Sequence, residues 1–471
     1  MSLWAVAPIA VPLATAMLTA LVARRRRLQA AVGLAGALAG VATAVGGARV
    51  VALEGAQRVA LGAWPAPFGI ELLFDATAAL LVVVTAIIGL ATVLSLDVSP
   101  PTTRPLVFGL LAGVGGAFTT GDLFNLYVWF EVILIGSLGL LALGTRTDQR
   151  QATLKALVLG VFGTLVLLLA VGLIYAATGH LNYAALAAAP LAPSLALPLL
   201  ATLAVALLAK AGAFPLFMWL PASYPALPAP VLALFAGLLT KVGVYALLRT
   251  LGGVFDTPAV LLEAVGWVGV ATMIAGVLGA AWHWDLRRIL AFHIISQIGY
   301  LLVGVSLATP SGHAATLFYT VHHIVVKANL FLVAGLIAVV AGSSDLRRVG
   351  GLLKTSPLLA AAFLVPGLSL VGVPPLSGFW SKYLILQELL AQGRFVWAAA
   401  ALAVSALTLY SVLKIWMEAF WKPHPHPTKL GAARPGAWVA VGLLALVTLA
   451  LSLAPDRVIT WTRTAAGSLA P

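Results

Sequence analysis

Apolar residues gather in runs of about twenty, one after another, along nearly the whole chain. A helix needs about 20 mostly apolar residues to cross a hydrocarbon layer. Backbone exposed to lipid must satisfy its own hydrogen bonds, which restricts such a chain to a bundle of helices. The runs fall near 3–23, 28–48, 72–95, 105–120, 122–144, 154–177, 194–222, 226–249, 258–281, 287–307, 313–342, 355–391, 396–417 and 436–455. They predict an all-α polytopic membrane protein with about fourteen transmembrane helices. Composition agrees, with 62% hydrophobic and only 9% charged residues where a soluble domain carries roughly 25%. Without cysteine, the chain offers no disulfide, thiolate metal site or iron–sulfur ligation.

A net charge of +13 suits nucleic acid only on a soluble basic face. Here the positive charges sit in short loops between apolar runs, so nucleic acid is excluded as a partner and lipid takes its place. Arg24–Arg27 follow the first run instead of preceding it, the reverse of a cleavable signal peptide. Placing that cluster in the cytoplasm and alternating the loops puts seventeen of the 27 Lys and Arg inside, Arg104 among them. Six fall outside, Arg249, Arg457 and Arg463 among them, and four fall within spans. The asymmetry follows the positive-inside rule and predicts external N- and C-termini in a multi-pass protein of the cell membrane.

Two spans are too long to be single straight helices. At 1.5 Å per residue, 355–391 would measure on the order of 55 Å against a core of about 30 Å. That span contains Gly372-Val373-Pro374-Pro375, and 194–222 contains Gly212-Ala213-Phe214-Pro215. Proline removes a backbone donor and clashes with the preceding turn, so both read as broken helices, the seventh and the twelfth. An offset of five spans reverses direction through the membrane, as an inverted repeat requires. The predicted organisation is N-terminal helices in 1–104, a first repeat of spans four to eight in 105–250, a second of spans nine to thirteen in 251–420, and span fourteen in 421–471.

A charged group at the bilayer centre costs about 2.5–3.5 kcal/mol even on the lenient insertion scale. Glu131, Lys210, Lys241, Lys327 and Lys382 all fall well inside spans. One such lysine is explained by an ion-paired strut between helices, but one glutamate cannot neutralise four lysines. Desolvation makes a neutral amine accessible, which is what a proton relay needs. The expected arrangement has Glu131 paired with Lys210, holding its proton while the pair is closed and releasing it on opening. Lys241 and Lys382 are the next carriers. In the eleventh span Tyr319, His323 and Lys327 stand four apart on one helical face with His322 beside them, and histidine titrates nearest neutrality. His293, Ser296, Gln297 and Tyr300 make the tenth span unusually polar, as a water-lined path or as interhelical glue.

His283, His424 and His426 in inner loops, and His180 and His313 at outer ends, read as solvated. Asp75 and Asp122 stand near helix ends, where snorkelling or capping explains them. Carboxylate partners for a metal are lacking around the histidine pair, and no cofactor motif appears. Glu131 is the one mid-membrane carboxylate, a poor sodium site because hard cations want several oxygen ligands.

Six stretches together resemble the antiporter-like subunits shared by respiratory complex I and Mrp antiporters. They are Asp122-Leu-Phe-Asn-Leu-Tyr-Val-Trp-Phe-Glu131, Lys210-Ala-Gly-Ala-Phe-Pro215 and Leu239-Thr-Lys241-Val-Gly-Val-Tyr245, then Asp285 to Tyr300, His322-His323 to Lys327, and Gly372 to Lys382. Ser223-Tyr224-Pro225 with Pro228-Ala-Pro230, and Val128-Trp-Phe-Glu131, are most similar to the D subunit of Mrp-type Na+/H+ antiporters. The resemblance implies fourteen helices with the seventh and twelfth broken, and relay roles for Glu131, Lys210, Lys241 and Lys382. It also implies a hetero-oligomer with other Mrp subunits that exchanges protons for Na+. Tyr319 stands where some relatives have a second histidine, which implies a shorter relay in that span. A proton-pumping subunit of a complex I-type NADH dehydrogenase or membrane-bound hydrogenase is the alternative, and either way the chain is part of a transporter and not an enzyme.

Overall fold

The structure, a computed structural model, describes residues 3–64, 67–96, 100–144, 147–424 and 431–469. His426, assigned above to an inner loop, lies outside them, as do Arg146 and Lys429, two of the seventeen basic residues counted inside. The chain runs through α1 (Leu3–Leu21) and α2 (Arg26–Glu54) into a short hairpin, β1 (Gln57–Ala60) and β2 (Glu71–Phe74), paired antiparallel with Gln57 opposite Phe74. There follow α3 (Ala76–Ser95), α4 (Thr103–Thr119), α5 (Leu123–Ala142), α6 (Thr147–Thr178) and α7 (Tyr183–Ala188). The middle of the chain forms α8 (Pro193–Ala211), α9 (Trp219–Ser223), α10 (Ala229–Arg249), α11 (Ala259–Trp282), α12 (Leu286–Ser306) and α13 (Pro310–Ala341). The last part forms α14 (Leu352–Thr355), α15 (Pro357–Val371), α16 (Ser377–Ala391), α17 (Phe395–Trp416), α18 (Pro435–Leu453) and α19 (Pro455–Gly467).

Twelve helices among the described residues are long and apolar enough to cross a membrane, and the protein is an integral membrane protein. Its helix α4, at 17 residues, and α15 and α16, at 15 each, fall short of that length singly. Caps mark where chains re-enter the bundle. Asp75, Asp122 and Asp285 accept from the backbone N–H of Ala78, Asn125 and Arg288, satisfying donors that the first turns of α3, α5 and α12 leave free.

Loop contacts sort into two ends. At the end carrying Arg24–Arg27, the basic end, Gln29 donates to the carbonyls of Thr19 and Pro101, Gln149 donates to that of Ala226, and Lys414 donates to those of Ala281 and His283. At the far end Leu72 bridges Thr120, Asp122 bridges Asn182, and Thr309 and Ser311 each donate to Glu388 over 2.7 Å. Successive long helices therefore alternate direction.

Burial is uneven. Every position from Val231 to Arg249 of α10 is buried, as is nearly all of α12 and α13, whereas α1 and α2 leave most of their surface outward. Lipid is as apolar as leucine, so burial here marks helix-on-helix packing and not hydrophobic preference. The three central helices carry most of the singled-out polar residues.

Both long spans break where glycine and proline predicted. Gly212 ends α8 and Gly372 ends α15, each in the left-handed region with φ of +76° and +97°, which a side chain would strain. After the first break the chain continues as short turns into α9; after the second it resumes as α16.

Several features differ from the sequence reading. The hairpin, α7 and α19 were not anticipated, because a twenty-residue apolar ruler passes over four-residue strands and short amphipathic helices. Arg249, counted as an outer-loop residue, is fully buried at the end of α10, and Arg104, counted in an inner loop, is buried in α4. Burial holds because Arg249 is paired with Asp75 at 2.6 Å and Arg104 donates to the carbonyl of Leu96. His313, read as solvated, is buried on α13 beside Gly252.

Candidate ion-translocation site

Lys210 occupies the last turn of α8, immediately before the break. Its ammonium donates to the carbonyl of Gly160 on α6 at 3.0 Å and lies 5.6 Å from the centre of the Phe130 ring. The lysine stem packs along α6 at Gly163, where an added Cβ would make only an ordinary contact with Lys210 Cε at 3.4 Å. Glu131 on α5 lies within electrostatic range of Lys210, but no ion pair joins them, and Glu131 Oε1 is buried without a hydrogen-bond partner. The closed pair expected from sequence is therefore open in this structure, with the lysine turned toward α6. A cavity of about 70 Å³ lined by Lys210, Ser137, Ser223 and Tyr224 lies between α5, α6, α8 and α10. A water needs roughly 10–15 Å³ of such volume and two or more polar partners, and this cavity supplies both.

Lys241 sits on α10 with no exposure and donates to the carbonyl of Ala236 in its own helix. Facing it on α13 are His323 and, one turn on, Lys327, both fully buried. Neither ring nitrogen of His323 nor the Lys327 ammonium has a hydrogen-bond partner. His323 lies within electrostatic range of Lys241, Lys327 and His322, and Lys327 within range of Lys241 on one side and Lys382 on the other. On α12, both nitrogens of His293 and the hydroxyl of Ser296 are likewise buried and unpartnered. Buried polar groups are nearly always hydrogen-bonded, because leaving one unpaired costs about 1–3 kcal/mol. His293, His323 and Lys327, each unpartnered, lie within electrostatic range of Lys241 or Lys382, so the orphaned groups face a shared polar interior.

The far lysine is better held. Lys382 on α16 reaches back across the second break to donate to the carbonyl of Val371 at 2.7 Å and to Ser405 Oγ on α17 at 3.1 Å. Ser405 in turn lies 2.8 Å from the Tyr300 hydroxyl, which also bonds the carbonyl of Ala401. Tyr300 stacks on Tyr319 at 5.5 Å, and Tyr319 donates to Gln297 Oε1. From the other side His322 Nδ1 lies 2.9 Å from Ser377 Oγ, which lies 3.0 Å from Ser369 Oγ. This crossing is tight. A Cβ on Gly378 would stand 1.7 Å from the Ser369 carbonyl oxygen.

The structure thus brings Lys241, Lys327, Lys382, His293, His322 and His323 within electrostatic range of one another, with Tyr319 beside the two histidines and bonded to Gln297. Glu131 and Lys210 form a separate pair of neighbours between α5 and α8, and Ser296 lies buried on α12 where its backbone packs on Gly276 of α11. Ser369, Ser377 and Ser405 were missed. A lone serine in an apolar helix carries no signal, because small residues are common wherever helices pack in lipid.

A helical membrane bundle whose central helices carry buried amines, imidazoles and hydroxyls is, as a class, an ion-transporting membrane protein. Residues 120–408 match the family described as NADH:quinone oxidoreductase/Mrp antiporter, TM. The chain belongs to that family. It is 41% identical to the D subunit of the Na(+)/H(+) antiporter of Alkalihalophilus pseudofirmus, over 83% of this chain and 82% of the relative. A chain of the Mrp complex from Dietzia sp. DQ12-45-1b superposes with a TM-score of 0.90 at 34% identity, covering 100% of this chain and 98% of that one. A chain of the membrane-bound sulfane sulfur reductase, an archaeal respiratory membrane complex, gives 0.91 at 27% identity over 100% and 98%.

Proposed function

We propose that this chain is the proton-translocating component, of the D kind, in a multisubunit Na+/H+ antiporter, with other Mrp subunits as its partners. Protons move through Glu131 and Lys210, then Lys241, His323 and Lys327, then His322 and Lys382, with Tyr319, His293, Ser296 and Gln297 shaping the interior. The observation that carries this reading is Lys327, an ammonium with no hydrogen-bond partner lying between Lys241 and Lys382. A strut would be paired; a carrier must exchange partners. The basic end faces the cytoplasm of a cell membrane and both termini face outward, in keeping with the positive-inside rule. The cavity beside Lys210 then opens the path toward the cytoplasm.

On this reading α4 and the α15–α16 pair complete fourteen spans, and α4 to α10 and α11 to α17 are inverted repeats. In support, each run contains one break at a left-handed glycine, with a lysine near it. Sodium crosses elsewhere, at an interface or in another subunit, because Glu131 is the one carboxylate beside the intramembrane lysines among the described residues, and hard cations demand several oxygens.

The test is exchange in everted vesicles carrying the whole complex, with a sodium-free control. Lys241→Ala should abolish Na+-dependent proton movement at unchanged assembly; wild-type exchange would remove the relay. The likeness to a respiratory complex favours a second reading, a proton pump powered by redox chemistry in its partners. Proton movement that follows electron flow and ignores Na+ would select it.

A further inference from the structure

On α10, Lys241, Tyr245 and Arg249 stand four residues apart and share one face, leading from the polar interior to the far end. The Tyr245 hydroxyl donates to the carbonyl of Phe118 at 3.0 Å and accepts from Arg249 Nε at 3.3 Å. Arg249 then closes on Asp75, Nη2 to Oδ2 at 2.6 Å, both side chains at most 2% exposed. Asp75 is also the cap of α3, accepting from Ala78 N–H. Beside them the hydroxyl of Tyr183 is buried without a partner, within electrostatic range of Tyr245 and Arg249.

Helix α19 and the residues after it cover this pair. Arg249 Nη1 donates to the carbonyls of Leu469 at 3.1 Å and Ser468 at 3.4 Å. Trp461 donates to the carbonyl of Ala76 at 2.9 Å, and Thr77 donates to that of Ala465 at 3.1 Å. A Cβ on Gly253 would meet Leu469 O at 2.5 Å, so backbone packs directly on backbone.

We propose that the Asp75–Arg249 pair is a closed gate at the far end of the Lys241 line, with α19 as its lid, and that it blocks proton leak between exchange cycles. The inference rests on the relay reading above. A guanidinium does not give up its proton, so it stands in the line as a fixed positive charge that repels an approaching proton, as arginine does in proton-excluding pores. The Asp75 carboxylate pairs with that charge, which offsets the cost of burying the guanidinium in the line while taking part of its field. Arg249 and Tyr245 are positioning residues on this account, and Lys241 is the carrier they guard.

The experiment imposes a pH gradient on everted vesicles holding the complete complex and follows its decay without Na+, then exchange with Na+. The paired variant Asp75→Asn with Arg249→Gln removes both charges together, leaving no uncompensated ion. At wild-type abundance it should lose the gradient several-fold faster, and Arg249→Lys, whose buried amine can give up its proton, should leak as well. Because that pair also supports α3 and α10, Trp461→Phe with Thr77→Val loosens the lid without touching the charges and should likewise raise the leak. Wild-type gradient retention in the lid variant, or in an assembled paired variant, overturns the gate. Lys241→Ala separates the two ideas: wild-type exchange in that single variant sinks the relay, whereas a leak of the paired variant that persists when Lys241→Ala is added to it sinks the gate alone.

Discussion

Lys382 and Ser405 stand 3.1 Å apart across the contact between α16 and α17, and Ser405 passes the contact on to the Tyr300 hydroxyl at 2.8 Å. The serine is the one side-chain hydroxyl bonded to this lysine among the described residues, its other partner being the Val371 carbonyl.

Lys382→Ala should therefore abolish exchange, and Ser405→Ala should weaken it. A hydrogen bond to a charged group contributes about 1.5–3 kcal/mol, so loss of the serine should slow exchange roughly ten- to a hundredfold if the bond is made during transfer. Initial rates in vesicles measure this, and a wild-type rate for Ser405→Ala would leave the serine with a packing role.

Glu131 and Lys210 are close enough to feel each other yet unjoined. Glu131→Ala and Lys210→Ala should each abolish exchange with the complex still assembled. Glu131→Gln separates charge from shape. It should behave as Ala does, and activity retained in the amide would show that the carboxylate's charge is dispensable.

The unpartnered Lys327 makes an opposite pair of expectations for stability and activity. Its burial without a hydrogen bond costs about 1–3 kcal/mol. Lys327→Met removes that cost while filling similar space, so thermal unfolding of the purified complex should hold or rise while exchange is lost. A lowered unfolding temperature would mean that the ammonium has a structural partner after all.

Gly378 sets the crossing of α15 and α16. With the Ser369 carbonyl oxygen at 1.7 Å from any added Cβ and His322 Cε1 at 3.1 Å, Gly378→Ala must push the two half-helices apart. Overpacking of this kind costs about 1–3 kcal/mol. Reduced assembly, seen as a lower yield of intact complex, is expected together with lost exchange through the displaced Ser369–Ser377–His322 chain.

Much of this was legible in the residues. Apolar runs have a fixed length against lipid, so the helices from Leu3 to Leu453 follow the ruler closely, and Gly212 and Gly372 end helices where glycine and proline stand together. The caps at Asp75 and Asp122 needed only local chain geometry. The intramembrane amines were conspicuous because lipid penalises them wherever they point.

What the sequence alone determined was the environment and the inventory: a bundle of helices in lipid, broken at two places, with Glu131, four lysines and the histidine pair stranded inside. Tertiary structure decided the partnerships. It turned Lys210 toward Gly160 instead of Glu131, handed Lys382 to Ser405, and buried Arg249 against Asp75 from a helix 174 residues away in the chain. The physical reason is that hydropathy acts on each residue singly and over one helix length, whereas a hydrogen bond or ion pair depends on which helices are neighbours, how they are rotated and what their glycines let approach.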